Sequence, residues 1–449
     1  MDQENASVEN DVPGLNQEQQ AAADGFFNFL FNNEKEMGIT GPGGTGKTHL
    51  MGVMIDKIIP EYFQTCKLMS IPPLFDSVEM TATTNKAADV LSLAAGKPTN
   101  TIHSFLNLKV QEDYSNGQSK LIKKPNWTVH EKKILFVDEA SMTDTPLYNV
   151  THEGTQSCKI VWVGDHCQMA PVMEPISPVY RVPMKIYHLS QPMRTNIPEL
   201  HALNNQLRKT VEDIMIGNEN PFQPIKIVPG IIDWYDDRQM ELALQAHFSQ
   251  QTLDSRILAY TNKRVVEYND HVRFIRNLPN EFTVGEQLVN NTAIYLRRHM
   301  LSIEEEVEII SIKPNPITFY VDTFEGQDVE IELFECDIKN RLGLIFSDVK
   351  IPKDRAHFTA ILKWLSSRKK WGRFYDLKKM ILDLRQRDSS TVYKAQGSSL
   401  DTVFIDATNI STCHNSSQVA RMLYVAGSRA RKHIVFYGQL AQKYGGLVL

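Results

Sequence analysis

Short apolar runs alternate with helical stretches twice along the chain, which predicts an α/β protein built on two parallel sheets buried on both faces. Two further observations complete the class. A block of alternating strand patterns lies between residues 282 and 347, and a glycine-rich phosphate-loop pattern follows the first apolar run directly.

The elements read in order as follows. Residues 1–14 are acidic and polar and end in Pro13-Gly14, a disordered lead-in. Asn16 caps a helix that runs to about Leu30. Gly38-Ile39-Thr40, Lys133 to Val137 and Lys159 to Val163 are strands of the first sheet, with helices at His49 to Ile59 and Asn85 to Ala95. The second sheet begins at Ser255 to Tyr260 and resumes at Thr402-Val403-Phe404-Ile405. Between these, Glu306 to Ile310 and Ile317 to Val321 alternate as strands of a small β-barrel-like insertion. Residues 353–386 are helical, with Phe358, Ile361, Leu362 and Leu365 on one face. Asn116-Gly117 is the preferred pair of a two-residue type I′ turn, so residues 107–123 form a hairpin. Pairing outward from it sets Tyr114 against Ser119 and Glu112 against Leu121.

Composition excludes several classes. With 449 residues, 42% of them hydrophobic and 22% charged, the chain supports a sizeable core, and its length suggests about three domains. No apolar stretch approaches the ~18 residues of a membrane span. The first 34 residues carry no Lys or Arg, which argues against a targeting leader and for a cytoplasmic protein. Five scattered cysteines fit reduced thiols, neither a disulfide framework nor a zinc site. The net charge of -5 hides a strong asymmetry. Residues 301–340 carry eleven acids and two lysines, whereas 350–387 carry twelve bases and three acids. Adjoining segments of opposite sign read as two faces or two subdomains, the basic one either a solvated helical surface or a face suited to a nucleic-acid backbone.

The chemistry begins at Gly41-Pro42-Gly43-Gly44-Thr45-Gly46-Lys47-Thr48, a complete P-loop pattern. Its glycines let successive N–H groups converge on an anion, and the following helix adds the positive end of its dipole. Lys47 would contact the β- and γ-phosphates, and the Thr48 hydroxyl would ligate Mg²⁺. The apolar run Ile134-Leu135-Phe136-Val137 ends in Asp138-Glu139. Ligands of such sheets sit beyond the carboxyl ends of strands, so both acids would meet the phosphate site. Asp138 would hold Mg²⁺ and Glu139 would orient and deprotonate the attacking water. The expected reaction is hydrolysis of ATP with Mg²⁺; a kinase would use the same loop.

Further along, the segments Leu15 to Gln19, Thr84-Asn85-Lys86-Ala87-Ala88, Thr101-Ile102-His103-Ser104, Asp138-Glu139-Ala140-Ser141 and Gly164 to Gln168 keep a fixed order. They are followed by Ala259 to Lys263, Thr391 to Gly397 and Leu423 to Arg431. From Leu15 to about Tyr437 this order resembles superfamily 1B DNA helicases, most closely the branch of T-even-like bacteriophages and more distantly the RecD type. The resemblance implies two RecA-like motor domains, at 15–106 with 124–190 and at 191–282 with 389–449. It makes 107–123 a strand-separating β-hairpin pin and 283–388 an SH3-like domain with a helical tower. It places Gln19 on the adenine edge, gives Gln168 the sensing of the γ-phosphate, and makes Arg194 and Arg429 arginines of the hydrolysis machinery. Gly397 belongs to the nucleotide-linked segments, and Thr84, Asn85, Thr101, His103, Asn262, Thr391 and Lys394 to the DNA contacts. Tyr114 near the hairpin tip is the residue that would stack on a base. Three positions depart from the usual pattern: Thr83 where Pro is common, Tyr393 where His is common, and Ser428 where Thr is common.

Function follows from the same resemblance. An arginine supplied from a second domain is worth ~10³–10⁵ in rate, so closure and chemistry would be coupled. The expected protein is a monomeric 5′–3′ DNA helicase acting on single strands and forks, in the host cytoplasm if phage-encoded, with phage replication or recombination proteins as partners. An RNA helicase, or a translocase without strong unwinding activity, fits the residues themselves as well.

Overall fold

The computed structural model describes residues 14–112, 119–171, 174–191, 195–296, 299–321 and 329–448. They fall into two compact units. The first holds residues up to 106, 127–166 and 170–194; the second holds 107–126, 167–169 and 195–449.

The first unit is a six-stranded, all-parallel sheet. Across it the strands run Lys185–His188, Glu36–Thr40, Lys159–Gly164, Lys133–Asp138, Ser77–Ala82 and Asn100–Thr101. Lys159–Gly164 is buried at every residue, as a strand covered on both faces must be. The helix Gln17–Phe31 starts on Asn16 as expected, with a reciprocal capping box between Asn16 and Gln19. Its Phe26, Phe29 and Leu30 pack with Met37, Ile39 and Phe136, the Phe26 and Phe136 rings 5.5 Å apart. The helix expected at His49–Ile59 is longer: Lys47–Val53 continues through a π turn at Met54–Ile58 into Ile59–Leu68.

The second unit has a five-stranded parallel sheet in the order Ile232–Tyr235, Ala430–Tyr437, Leu400–Asp406, Ser255–Ala259, Ser389–Thr391. Residues between its halves form a six-stranded sheet of a different kind. Ile317–Val321, Val329–Asn340, Glu306–Ile312, Gln287–Asn290 and Leu384–Gln386 pair antiparallel, with Ile345–Pro352 joined to Val329–Asn340. Two helices, Arg355–Ser367 and Trp371–Met380, pack Phe358, Ile361, Leu365 and Leu377 against Ile331 and Leu333 of that sheet. Two ion pairs clamp the module's entrance and exit: Arg273 pairs with Glu286, and Arg276 holds both oxygens of Asp388 at 2.9 and 2.6 Å.

Three sequence expectations change here. Residues 353–386 are not one helical stretch. Lys369 turns left-handed (φ 56°) between the two helices, and Leu384–Gln386, buried on alternate residues, is a strand. The hairpin Leu108–Glu112/Ser119–Lys123 pairs Glu112 with Ser119 and Val110 with Leu121. Glu112 therefore does not face Leu121. The register is two residues out of step with a turn at Asn116-Gly117; residues 113–118, Tyr114, Asn116 and Gly117 among them, lie outside the described residues.

The third change concerns charge. The acidic and basic segments meet where antiparallel strands adjoin, so Lys350, Lys353 and Arg387 stand beside acids of the neighbouring segment. Glu335 stands across from Lys350 and bonds Lys313, while Glu332 bonds Lys353, Glu308 bonds Lys339 and Glu306 meets Arg341 and Arg387.

Removing one partner of a buried ion pair strands the other charge. Asp388→Ala is therefore expected to destabilise the second unit by about 3–5 kcal/mol, read as a shifted midpoint in urea denaturation; a change below about 1 kcal/mol would mean the clamp does not hold the junction.

Candidate functional site

The P-loop lies at the carboxyl end of Glu36–Thr40, and its geometry explains its glycines. A Cβ on Gly41 would lie 2.2 Å from the Leu189 carbonyl oxygen, and Gly44 and Gly46 have φ of 87° and 79°. Gly43 completes the loop ahead of Gly44, and Thr45 is buried with its hydroxyl donating to the Pro42 carbonyl at 3.0 Å. Lys47 Nζ donates to the Gly41 and Pro42 carbonyls at 2.7 and 2.9 Å, folding the side chain back along its own loop. Thr48, half-buried, stands in the first turn of Lys47–Val53.

Gln19 braces this loop from the side. Its Nε2 donates to the Thr45 carbonyl at 3.2 Å while its Oε1 accepts the Asn16 N–H at 3.1 Å. The neighbouring Glu18 carboxylate accepts from the Ser190 N–H at 2.6 Å and from the Ser190 hydroxyl. Partial burial works against these bonds, yet they hold the carboxyl below its ordinary value. Sequence reading gave Glu18 no part.

Asp138 and Glu139 close the strand Lys133–Asp138 at the same edge of the sheet. Burial, with the Glu139 charge beside it, pushes the Asp138 carboxyl up to about 7, against the pull of the Glu139 N–H and of Lys47. The Glu139 N–H donates to Asp138 Oδ1 at 2.8 Å, and Glu139 is left-handed at φ 53°. A non-glycine residue held there is strained by roughly 1–3 kcal/mol, a feature that concentrates at functional sites. The Thr48 hydroxyl and the half-buried Asp138 carboxylate are hard oxygen donors, a set that fits Mg²⁺.

The candidate strand contacts of the first unit share this edge. Thr84 caps the helix Asn85–Ala95, accepting the Ala87 N–H at 3.2 Å, and Thr101 caps Ile102–Phe105, accepting the Ser104 N–H at 3.1 Å. Thr101 pairs with Ala82, which pairs with Asp138, so these turns lie side by side. Burial holds the His103 imidazole below its ordinary value, the Asp144 charge pulling the other way.

In the second unit, Asn262, Thr391 and Lys394 line one cavity together with Asn291, Glu304 and Arg387. Asn262 is exposed in the first turn of a helix capped by Thr261, a residue not singled out from sequence. Lys394 Nζ bonds Asn291 and, at 2.6 Å, Glu304. Gly397 is left-handed at φ 78°. Tyr393 and Ser428, the two departures, both keep a bond: the Tyr393 hydroxyl accepts from Gln418, and Ser428 donates to the Val425 carbonyl at 3.0 Å.

The arginines need a correction. Arg194 lies outside the described residues. Arg429 is 1% exposed, and its guanidinium donates to the Val425 carbonyl (3.1 Å), the Ser398 carbonyl (3.3 Å) and the Ser428 hydroxyl (2.8 Å). These bonds hold Arg429 to the backbone of its own unit. Arg421, two turns earlier on the helix Ser416–Gly427, instead donates to the Gln168 carbonyl. Sequence reading began that motif two residues later, at Leu423, and so passed over it.

Phosphate loop, acid pair and parallel strand order give the first unit the layout of a P-loop nucleoside-triphosphate-binding fold. A family model for an AAA domain matches residues 14–219, and one for the UvrD-like helicase C-terminal domain matches 388–437. The ATP-dependent DNA helicase dda of Enterobacteria phage T4 is 24% identical over 448 residues, spanning 92% of this chain and 97% of that protein. The chain thus resembles a superfamily 1B helicase of the Dda type. Among solved structures, Pif1 helicase from Bacteroides with ADP-AlF3 and single-stranded DNA aligns at a TM-score of 0.49 and 14% identity, covering 94% of this chain and 93% of that one. Pif1 helicase from Candida albicans aligns at 0.43 and 16%, covering 96% of each. Among the described residues no helix is long and apolar enough to cross a membrane.

The lowered His103 value carries a sign. The unfolded chain binds more protons than the native one below about 6.5, so stability falls as pH drops from there toward the native value. In an NMR titration the His103 ring should change charge at a lower pH than an exposed histidine; a midpoint at or above 6.5 would contradict the burial argument.

Proposed function

We infer that the chain is an ATP-dependent DNA helicase that acts on single-stranded and forked DNA. One observation carries this: a complete hydrolysis set (Lys47, Thr48, Asp138, Glu139) stands at one sheet edge of a chain that aligns along nearly its whole length with such an enzyme.

In the proposed reaction Lys47 leaves the Gly41 and Pro42 carbonyls for the β- and γ-phosphates, while the P-loop N–H groups cradle them. Gln19 faces the adenine with the donor and acceptor capacity its two protein bonds leave over. Glu139 orients a water in line with the γ-phosphorus and takes its proton as the P–O bond to the leaving ADP breaks. Mg²⁺ held by Thr48 and Asp138 would neutralise developing phosphate charge when bound. We assign the stabilising arginine to Arg421, beside the γ-phosphate sensor Gln168, with Arg194 as its companion, and withdraw Arg429. Thr84, Asn85, Thr101 and His103 on one unit and Asn262, Thr391 and Lys394 on the other hold the strand. Alternating grip turns hydrolysis into 5′–3′ stepping by a monomer.

The hairpin at 107–123 serves as the pin. Base–aromatic stacking is worth about 1–3 kcal/mol, and a duplex step averages ~1.4, so a Tyr114 stacked on each base in turn offsets about one step at a time.

Lys47→Ala and Glu139→Gln are each expected to lower DNA-stimulated ATP turnover by at least about 10³-fold with single-strand affinity within about threefold of wild type; substantial turnover in either would overturn the hydrolysis assignment. Arg421→Ala should lower kcat by about 10²-fold or more while Arg429→Ala mainly lowers the melting temperature; the reverse pattern would restore Arg429. Duplex with a 5′ overhang should be unwound in the presence of ATP and duplex with a 3′ overhang should not. Equal stimulation of ATPase by RNA and DNA would favour the RNA-helicase reading instead.

A further inference from the structure

The left-handed Glu139 has a second support that the hydrolysis scheme does not use. Strand Ser77–Ala82 pairs with Lys133–Asp138 so that Ala82 stands opposite Asp138, which places the residues that follow, Thr83 and Glu139, side by side. Thr83 is buried, its N–H donates to the Asp138 carbonyl at 3.2 Å, and its hydroxyl donates to the Glu139 carbonyl at 3.0 Å. The two bonds fix the carbonyls on either side of the Glu139 Cα. Together with the Glu139 N–H bond to Asp138 Oδ1, they settle its left-handed backbone and hence the direction its side chain leaves the chain. A proline at this position would have neither an N–H nor a hydroxyl and could make neither bond.

The residue on the other side of Thr83 is Thr84, the exposed cap of Asn85–Ala95 and a candidate strand contact. One peptide bond therefore separates a side chain offered to the nucleic acid from the side chain that braces the candidate base. We propose that Thr83 is a positioning residue: engagement of a DNA strand at Thr84 and Asn85 is passed through the Thr83 hydroxyl to the Glu139 carbonyl, and sets the orientation of the carboxylate that activates water. Strand-dependent stimulation of hydrolysis is thereby built into two adjacent residues of the first unit. This rests on the helicase reading and deepens it.

The test is steady-state ATPase of the full chain, with and without saturating oligothymidylate, for Thr83→Val, Thr83→Ser and Thr83→Ala, alongside melting temperatures. Thr83→Val keeps the shape and loses the donor, and Thr83→Ala covers the case in which valine does not fold. Either should reduce the ratio of stimulated to unstimulated kcat at least about fivefold, with KM for ATP and the affinity for oligothymidylate within about twofold; Thr83→Ser, which retains the donor, should restore the ratio to within about twofold of wild type. A brace with no part in coupling would lower the melting temperature, or both rates together, and leave the ratio unchanged. An unchanged ratio in both donor-less variants overturns the inference. It leaves the helicase reading standing as long as Lys47→Ala still abolishes turnover, so the two failures are distinguishable.

Discussion

A parallel sheet covered on both faces delivers every strand's carboxyl end to one edge, and the rest of the first unit depends on that constraint. Glu36–Thr40 opens into the phosphate loop, Lys133–Asp138 into the acid pair, and Ser77–Ala82 and Asn100–Thr101 into the two threonine-capped turns. None of these groups is near another in sequence. The register of buried hydrogen-bonded strands assembles them, and a shift of one residue would invert every side chain that follows. The local devices at the edge answer to the same demand. Leu189 leaves no room for a side chain at Gly41, and Gln19 spends one amide on its helix terminus and on the loop.

Much of this was legible in the sequence because it is local. The loop pattern needs eight consecutive residues, the acid pair ends a visible apolar run, and the Asn16/Gln19 box is a spacing of three. The helix Asn85–Ala95 begins and ends where its capping threonine and its left-handed Gly96 place it. What escaped depends on distant partners. Both Arg421 and Arg429 are buried, and which carbonyls each guanidinium meets, Gln168 for one and Val425 and Ser398 for the other, is something no spacing rule reveals. Thr83 is tied to Glu139 across a separation of 56 residues, set by strand register alone. The hairpin register failed for a related reason: Asn-Gly is a strong local signal, and the strands pair two residues out of step with it.

The second unit shows how connectivity restrains an insertion. The antiparallel module leaves the parallel sheet after the helix Asn262–Ile275 and returns at Ser389–Thr391. Arg273 and Arg276 at the departure grip Glu286 and Asp388 on the module's first and last residues. With both stems tied to one helix end, the module cannot swing about a single linker. Lys394, which follows the return strand, bonds Asn291 and Glu304 of the module, so a candidate strand contact of the motor is oriented by the insertion.

Cross-strand pairing in that module also sets its reach. On the strands of the module, carboxylates lie within bonding distance of Lys313, Lys339, Arg341, Lys353 and Arg387. Opposite charges so closely matched nearly cancel beyond the ~8 Å Debye length of physiological salt. A polyanion drifting past would feel little pull from these strands and would be captured there only on touching them.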